Sequence, residues 1–287
     1  MNVGSHNLKL LTRKYTIMKL LKIIILSLGV ATLSSLFFSC ERETPLIAVK
    51  SEDFSNAASV QVFSATVKAA RNYVYVDAVP VSGAIFGYQG VFPGTAYGFK
   101  VTAGSRSFVI KDTLPATTQT PITFTQTIEA GKSYTIFTYD TITSVKQATV
   151  QNTIVIPTDT TSMLRFANFI YNPTAIPNVD VYSYRRIPGT PVFVSTAVLN
   201  NANVSAPVFT GSTPVFSNVP TNQVSAFIPY ASGLTDTLYV FAAGTTTPLL
   251  TKGFITSLVP TRSYTSTFNG SYRGNLAARV VTTIATY

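Results

Sequence analysis

Four short segments in the first half of the chain recur, in the same order, in the second half. Ser59-Val60-Gln61-Val62 is matched by Met163-Leu164-Arg165-Phe166, and Val74-Tyr75 by Val181-Tyr182. Lys100-Val101-Thr102-Ala103-Gly104 is matched by Val240-Phe241-Ala242-Ala243-Gly244, and Lys132-Ser133-Tyr134-Thr135 by Arg262-Ser263-Tyr264-Thr265. A chain that repeats itself buries equivalent apolar faces twice, so the fold is expected to be a pair of like units. The offsets are 104, 107, 140 and 130 residues, so the copies differ by insertions. The second copy gains about thirty residues between Tyr184 and Val224, and the first keeps about ten extra between Ile110 and Ile128.

Each copy reads as strands. Val60, Val62 and Ala65 open the first, and Tyr73-Val74-Tyr75-Val76 is a second, bounded by Asp77 and Pro80. β-branched and aromatic residues alternate between turn residues, and no window after the first forty residues sustains a helical spacing. Three hairpins are predicted from their turn chemistry. Ala103-Gly104-Ser105 joins Tyr97–Val101 to Ser107–Ile110, Glu129-Ala130-Gly131-Lys132 joins Ile122–Ile128 to Tyr134–Tyr139, and Asn269-Gly270 follows Tyr264–Phe268. The expected fold class is all-β: two tandem antiparallel β-sandwich domains of immunoglobulin-like kind, over residues 56–157 and 158–287.

Ahead of the repeat lies an export signal. Met18-Lys19-Leu20-Leu21-Lys22 is a basic start, and Ile23 to Phe38 is an apolar run of 16 residues containing four Ser/Thr and one Gly. That is shorter than the ~20 apolar residues of a membrane-spanning helix and fits a secretory signal, with translation expected to start at Met18. Phe37-Phe38-Ser39-Cys40 resembles a bacterial lipobox, with two Phe where smaller residues are usual. Cys40 is the only cysteine, so it has no internal disulfide partner; lipidation is its expected fate. Residues 1–39 are then a removed signal peptide and 40–55 a lipidated tether, which spans on the order of 20 Å as a coil.

Removing residues 1–39 leaves 16 Lys and Arg against 11 Asp and Glu, a net +5 rather than +10. These bases are dispersed, with no stripe to neutralise nucleic-acid phosphates, so no nucleic-acid partner is expected. The mature chain has no Trp, and the one histidine, His6, lies in the part removed. Ser-His-Asp and Cys-His catalysis and His- or Cys-based zinc sites therefore lack their parts. No Asp-x-Asp spacing occurs, so no metal, no cofactor and no catalytic residue is predicted. Asp77 and Asp180 are assigned to turns and strand ends.

The run Tyr73-Val74-Tyr75-Val76-Asp77, the Ala-Gly turns, the Lys-Ser-Tyr-Thr strand and Arg165-Phe166-Ala167-Asn168 with Val179-Asp180-Val181-Tyr182 together resemble a domain-of-unknown-function family. Its members recur in tandem in exported Bacteroidetes lipoproteins. The resemblance covers residues 57 to 287 and implies β-sandwiches without transferable catalytic residues; Ala78 departs from it where the family carries glycine. Glu41 and Glu43, directly after Cys40, resemble the signal that sends such lipoproteins to the outer surface of the outer membrane.

Two sets of candidate site residues remain. Asp112-Thr113-Leu114, Asp140-Thr141-Ile142, Asp159-Thr160-Thr161 and Asp236-Thr237-Leu238 resemble O-glycosylation acceptors of exported Bacteroidetes proteins, which marks Thr113, Thr141, Thr160 and Thr237. Tyr182, Tyr184, Arg185 and Arg186, beside the inserted loop, form a candidate binding patch for a glycan or protein partner. The expected function is a non-enzymatic surface lipoprotein, held to the membrane by its lipid, that displays β-domains for binding or adhesion. The alternatives are an accessory subunit of an outer-membrane complex and, behind it, a hydrolase.

Overall fold

The computed structural model describes residues 54–94, 97–185, 213–233, 235–250, 254–273 and 278–286. The expected signal peptide, Cys40, the expected tether up to residue 53 and most of the second-copy insertion lie outside the described residues. Asp53–Tyr287 forms one compact unit, and its described residues are strands joined by turns.

The first copy contains β1 (Ala57–Ser64), β2 (Asn72–Val76), β3 (Val79–Pro80), β4 (Val91–Phe92), β5 (Phe99–Thr102), β6 (Gly104–Asp112), β7 (Ile122–Ile128), β8 (Ser133–Tyr139) and β9 (Lys146–Gln151). The second contains β10 (Thr161–Tyr171), β11 (Val179–Arg185), β12 (Phe216–Val219), β13 (Gln223–Val224), β14 (Ile228–Ala231), β15 (Thr235–Ala242), β16 (Phe254–Ser257), β17 (Ser263–Ser271) and β18 (Arg279–Ala285). Their sheets correspond strand for strand with a shift of nine. The first copy has one sheet ordered β4-β1-β8-β9, with β5 also on β1, and another ordered β3-β2-β6-β7. The second has β13-β10-β17-β18, with β14 on β10, and β12-β11-β15-β16.

The duplication extends to single atoms. Ser59 pairs with Ser133 as Met163 pairs with Ser263. The Glu129 N–H donates to the Tyr134 hydroxyl at 3.1 Å, and the Val259 N–H to the Tyr264 hydroxyl at the same distance. Three of the four sequence matches coincide with these equivalences. The fourth does not: register equates Val240 with Ile110 on β6, whereas Lys100 and Val101 on β5 correspond to Pro229 and Tyr230 on β14. Both segments end a strand at Ala-Gly, and composition alone cannot tell which strand ends there.

The sheets are not purely antiparallel. β1 runs parallel to β8, and β10 to β17. These pairs are buried on both faces, as parallel strands generally are. Ala58, Val60 and Val62 on β1, with Tyr134 and Ile136 on β8, face the first copy's other sheet and pack on Val74, Phe108 and Ile110. The alternate residues Phe63 and Phe137 face the second copy and pack with Ala167 and Phe169 from β10. The Phe137 and Phe169 rings stack at 4.7 Å between centroids. The body is thus four layers, outer, inner, inner and outer, with a third apolar layer between the copies that two independent sandwiches would not have.

The predicted hairpins fall elsewhere. Ala103-Gly104 and Glu129–Lys132 are corners at which the chain leaves one sheet for the other, since β5 and β8 belong to the inner sheet while β6 and β7 belong to the outer. Asn269-Gly270 lies inside β17, paired with Val280 and Arg279. A Cβ at Gly270 would stand 2.1 Å from the Ala278 carbonyl oxygen, so glycine there serves close approach of two chains rather than a turn. A two-residue turn occurs instead at Asp77-Ala78, where Val76 pairs with Val79 and φ is +50° and +67°.

Candidate binding cleft

β1, β8, β10 and β17 start at one end of the body. There the Gln61 amide donates to the Ala285 carbonyl and Arg165 reaches Thr135, whereas Phe137 meets Phe169 further along. That end holds a cleft of about 510 Å³, within the range of small-ligand sites. Ser59 and Lys100 are cross-strand partners on β1 and β5 and line one wall. Lys132 and Ser133 come from the corner into β8, Gln151 from the end of β9, and Asn152, Thr153, Ile154 and Ile156 from the segment between the copies. Thr286 of the second copy closes the floor. Tyr97, 70% exposed, stands at the rim, and its carbonyl accepts a hydrogen bond from the Ser59 hydroxyl.

Beneath the floor is a buried cation. Arg165, 2% exposed, donates from Nε to Thr265 Oγ1 at 2.9 Å and from Nη2 to Thr135 Oγ1 at 3.2 Å, and its guanidinium lies 4.6 Å from the Phe227 ring centroid. Those hydroxyls connect it to the cleft. Thr135 bonds the Asn152 amide, whose Nδ2 also reaches Ser133 Oγ at 3.0 Å, and Thr265 bonds Thr286 at 2.7 Å. Burial pushes the guanidinium down to about 9, so it remains charged at neutral pH. None of the cleft's lining residues is a carboxylate, and the described ion pairs, Arg71–Asp112, Arg106–Asp77 and Lys146–Asp140, use neither Lys100, Lys132 nor Arg165.

The sequence-predicted residues are scattered. Thr113 follows β6 and Thr160 precedes β10; both are exposed. Thr141 is half-buried and bridges Val67, and Thr237 is half-buried on β15 between β11 and β16. Three of the adjoining aspartates organise turns: Asp112 accepts from the Leu114 N–H, Asp140 from the Thr141 N–H and Asp159 from the Thr161 N–H. Of the binding patch, Tyr182 is half-buried on β11 and meets Phe241 edge-on at 5.5 Å. Burial, with the Asp180 carboxylate adding to it, pushes its hydroxyl up. Tyr184 and Arg185 occupy backbone positions on the same strand, and Arg186 and Cys40 lie outside the described residues.

Asp77 lies in a turn and Asp180 at the start of a strand, as expected of them. Asp77 accepts from the Ser107 N–H and from Arg106, and Asp180 from the Asn218 and Gly244 N–H groups. Among the described residues there is no group of three or more His, Cys, Asp or Glu that could hold a metal.

No family model and no curated protein matches the chain. Among solved structures it is similar to a candidate cell adhesion protein from Bacteroides ovatus ATCC 8483, at 12% identity over 78% of this chain and 95% of that one, with a TM-score of 0.22. A second candidate cell adhesion protein, from Bacteroides eggerthii DSM 20697, matches at 11% identity over 80% and 95%, with a TM-score of 0.19. At such TM-scores the likeness establishes no property of this chain.

No sequence motif marks Lys100, Lys132 or Arg165 as a site residue. Arg165 carried a signal, since it is a charge inside the apolar run Met163–Ile170. The lysines carried none, because only the fold brings the ends of β1, β5 and β8 together.

Proposed function

We propose that this chain is a lipid-anchored surface protein whose β-body binds a glycan or protein partner and catalyses no reaction. The observation that carries this reading is the cleft, a concave site lined by amides, hydroxyls, two ammonium groups and an aromatic rim. Its Ser59 hydroxyl is committed to the Tyr97 carbonyl rather than to a base. Cys40, whose thiol takes a diacylglycerol and which becomes the new N-terminus on cleavage, supplies the anchor, with acyl chains contributing ~0.8 kcal/mol per buried methylene. The described body begins at Phe54, just ahead of β1, and Ala57, the first residue of β1, lines the cleft.

The two copies are proposed to fold as like β-sandwich domains, divided between β9 and β10. Thr160, exposed in that connection, is proposed as an O-glycosylation site, with Thr113, also exposed, the second candidate. Intact-mass measurement of protein from its native host is expected to show sugar mass beyond the lipid; lipid mass alone would refute the modification. For the function itself, Cys40→Ser is expected to release the protein from membranes without unfolding it, and deletion of the gene to reduce attachment of cells to the partner surface. Unchanged attachment, together with a stoichiometric membrane partner on native purification, would replace adhesion with an accessory role in a membrane complex.

A further inference from the structure

The duplication provides an internal comparison for the cleft. By register, Ser59 and Lys100 of the first copy correspond to Met163 and Pro229 of the second, and Asn152 to Thr286. Lys132 corresponds to Arg262. Two positions that are polar or cationic around the first copy's cleft are therefore apolar in the second, although the backbone hydrogen bonds are the same. The Ser59 N–H donates to the Lys132 carbonyl at 2.9 Å as the Met163 N–H donates to that of Arg262 at 2.8 Å. The fold alone does not demand Ser59 and Lys100, since the second copy forms the same pairing without them.

The charges agree in sign. Lys100 and Lys132 are exposed, line the same cleft and enter no described ion pair, while Arg165 lies beneath two floor residues with no carboxylate partner. Three positive charges around a concave surface raise the local potential and attract an anion. Glu129, the acid in the adjoining corner, is exposed and does not line the cleft. The remaining lining combines hydroxyl and amide groups with the apolar faces of Ile156 and Tyr97, which suits a ligand bearing both hydroxyls and a C–H face.

We infer that the cleft binds an acidic saccharide, with Lys100 and Lys132 meeting its carboxylate or sulfate and Tyr97 packing on a sugar ring. The inference rests on the binding reading above and adds the chemical class of the ligand. Calorimetry on the full-length protein tests it with four probes: a hexamer of galacturonate, a sulfated heparin hexasaccharide, neutral maltohexaose and inorganic sulfate. The acidic hexasaccharides are expected to bind at least about tenfold more tightly than either other probe, and to weaken several-fold as salt is raised from about 0.05 to about 0.5 M. Lys100→Gln with Lys132→Gln is expected to lose about tenfold or more of that affinity. Both lysines are exposed, so the thermal midpoint should not change.

Equal binding of maltohexaose, or unchanged binding by the double variant, overturns the inference while leaving a binding function in place. Sulfate binding as tight as the hexasaccharides overturns the saccharide and leaves a free-oxyanion site. Absence of binding by all four probes overturns the inference; attachment of wild-type but not gene-deleted cells would then still uphold the binding function, and its absence would end both.

Discussion

Gly131 and Thr261 occupy equivalent corners, each donating its N–H to the start of the neighbouring strand: Gly131 to Ala57 at 2.9 Å and Thr261 to Thr161 at 2.8 Å. Their φ values are +72° and +62°, so the same left-handed backbone holds glycine in one copy and a β-branched residue in the other. That conformation costs an L-residue roughly 1–2 kcal/mol. Glycine avoids this cost but loses about 0.4–1 kcal/mol through the greater freedom of the unfolded chain. The difference predicts that Thr261→Gly stabilises the protein by about 0.5–1 kcal/mol. The Thr261 hydroxyl's bond to the Pro260 carbonyl is at the surface, where water replaces it. The reciprocal Gly131→Thr is expected to destabilise by a similar amount, because a Cβ at Gly131 meets no atom within 4 Å and only the backbone term changes. For a body of this size, 1 kcal/mol moves the thermal midpoint by about 2–4 °C. Thermal denaturation followed by circular dichroism should therefore show Thr261→Gly above the wild type and Gly131→Thr below it. A lower midpoint for Thr261→Gly would refute the equivalence of the two corners or the strain assigned to them.

Ala78→Gly is expected to raise stability by about 0.5–1 kcal/mol in the same assay, since Ala78 takes the second left-handed position of the Asp77-Ala78 turn. Phe169→Ala should cost about 3–5 kcal/mol in urea unfolding, because the ring is fully buried between the copies against Phe137 and Tyr139; a loss under 1 kcal/mol would mean that the copies do not pack this way. For Arg165, lowering from 12.5 to about 9 corresponds to a charge-burial cost of about 5 kcal/mol. Two charge-assisted hydrogen bonds of roughly 1.5–3 kcal/mol each and a ring contact of about 1 kcal/mol offset that cost. Arg165→Met should thus change stability by less than about 2 kcal/mol, whereas a loss above about 3 kcal/mol would point to a stranded carboxylate partner. The Ser107 N–H, and after it Arg106, hold the Asp77 carboxyl below the usual carboxylate range. Its contribution to stability is present above the ordinary carboxylate value and is lost as pH falls through the lowered folded one. A carboxyl carbon NMR titration giving a midpoint at or above the ordinary value would contradict that assignment.

The strands were largely legible because period-2 alternation states which residues share a face: Val74 and Val76 on β2, and Ile110 with Phe108 on β6, are buried as their spacing requires. The turns were less legible, since Gly104 and Gly131 have positive φ at corners between sheets just as they would in hairpins. Of the site, Ser59, Lys100, Lys132, Ser133 and Arg165 lie inside matched segments, but the matches mark them as parts of strands and not as neighbours in a cleft. The Asp-Thr triplets stood out in the sequence, yet they lie at separate points of the body and two of their threonines are half-buried.

The sequence by itself determined the all-β class, the duplication and the places of Asp77 at a turn and Asp180 at a strand end, because each follows from local spacing and from the order of recurring segments. Tertiary structure alone decided that β1 runs parallel to β8 and that the odd-numbered Phe63, Phe137 and Phe169 form a layer between the copies. It also decided that Lys100, Lys132 and Arg165 gather around one cleft. Alternation reports that a residue has an inside face, but not which sheet covers it. That depends on contacts between residues far apart in the chain, such as Arg165 with Thr265, 100 positions away, and Gln61 with Ala285, 224 positions away, which no local pattern encodes.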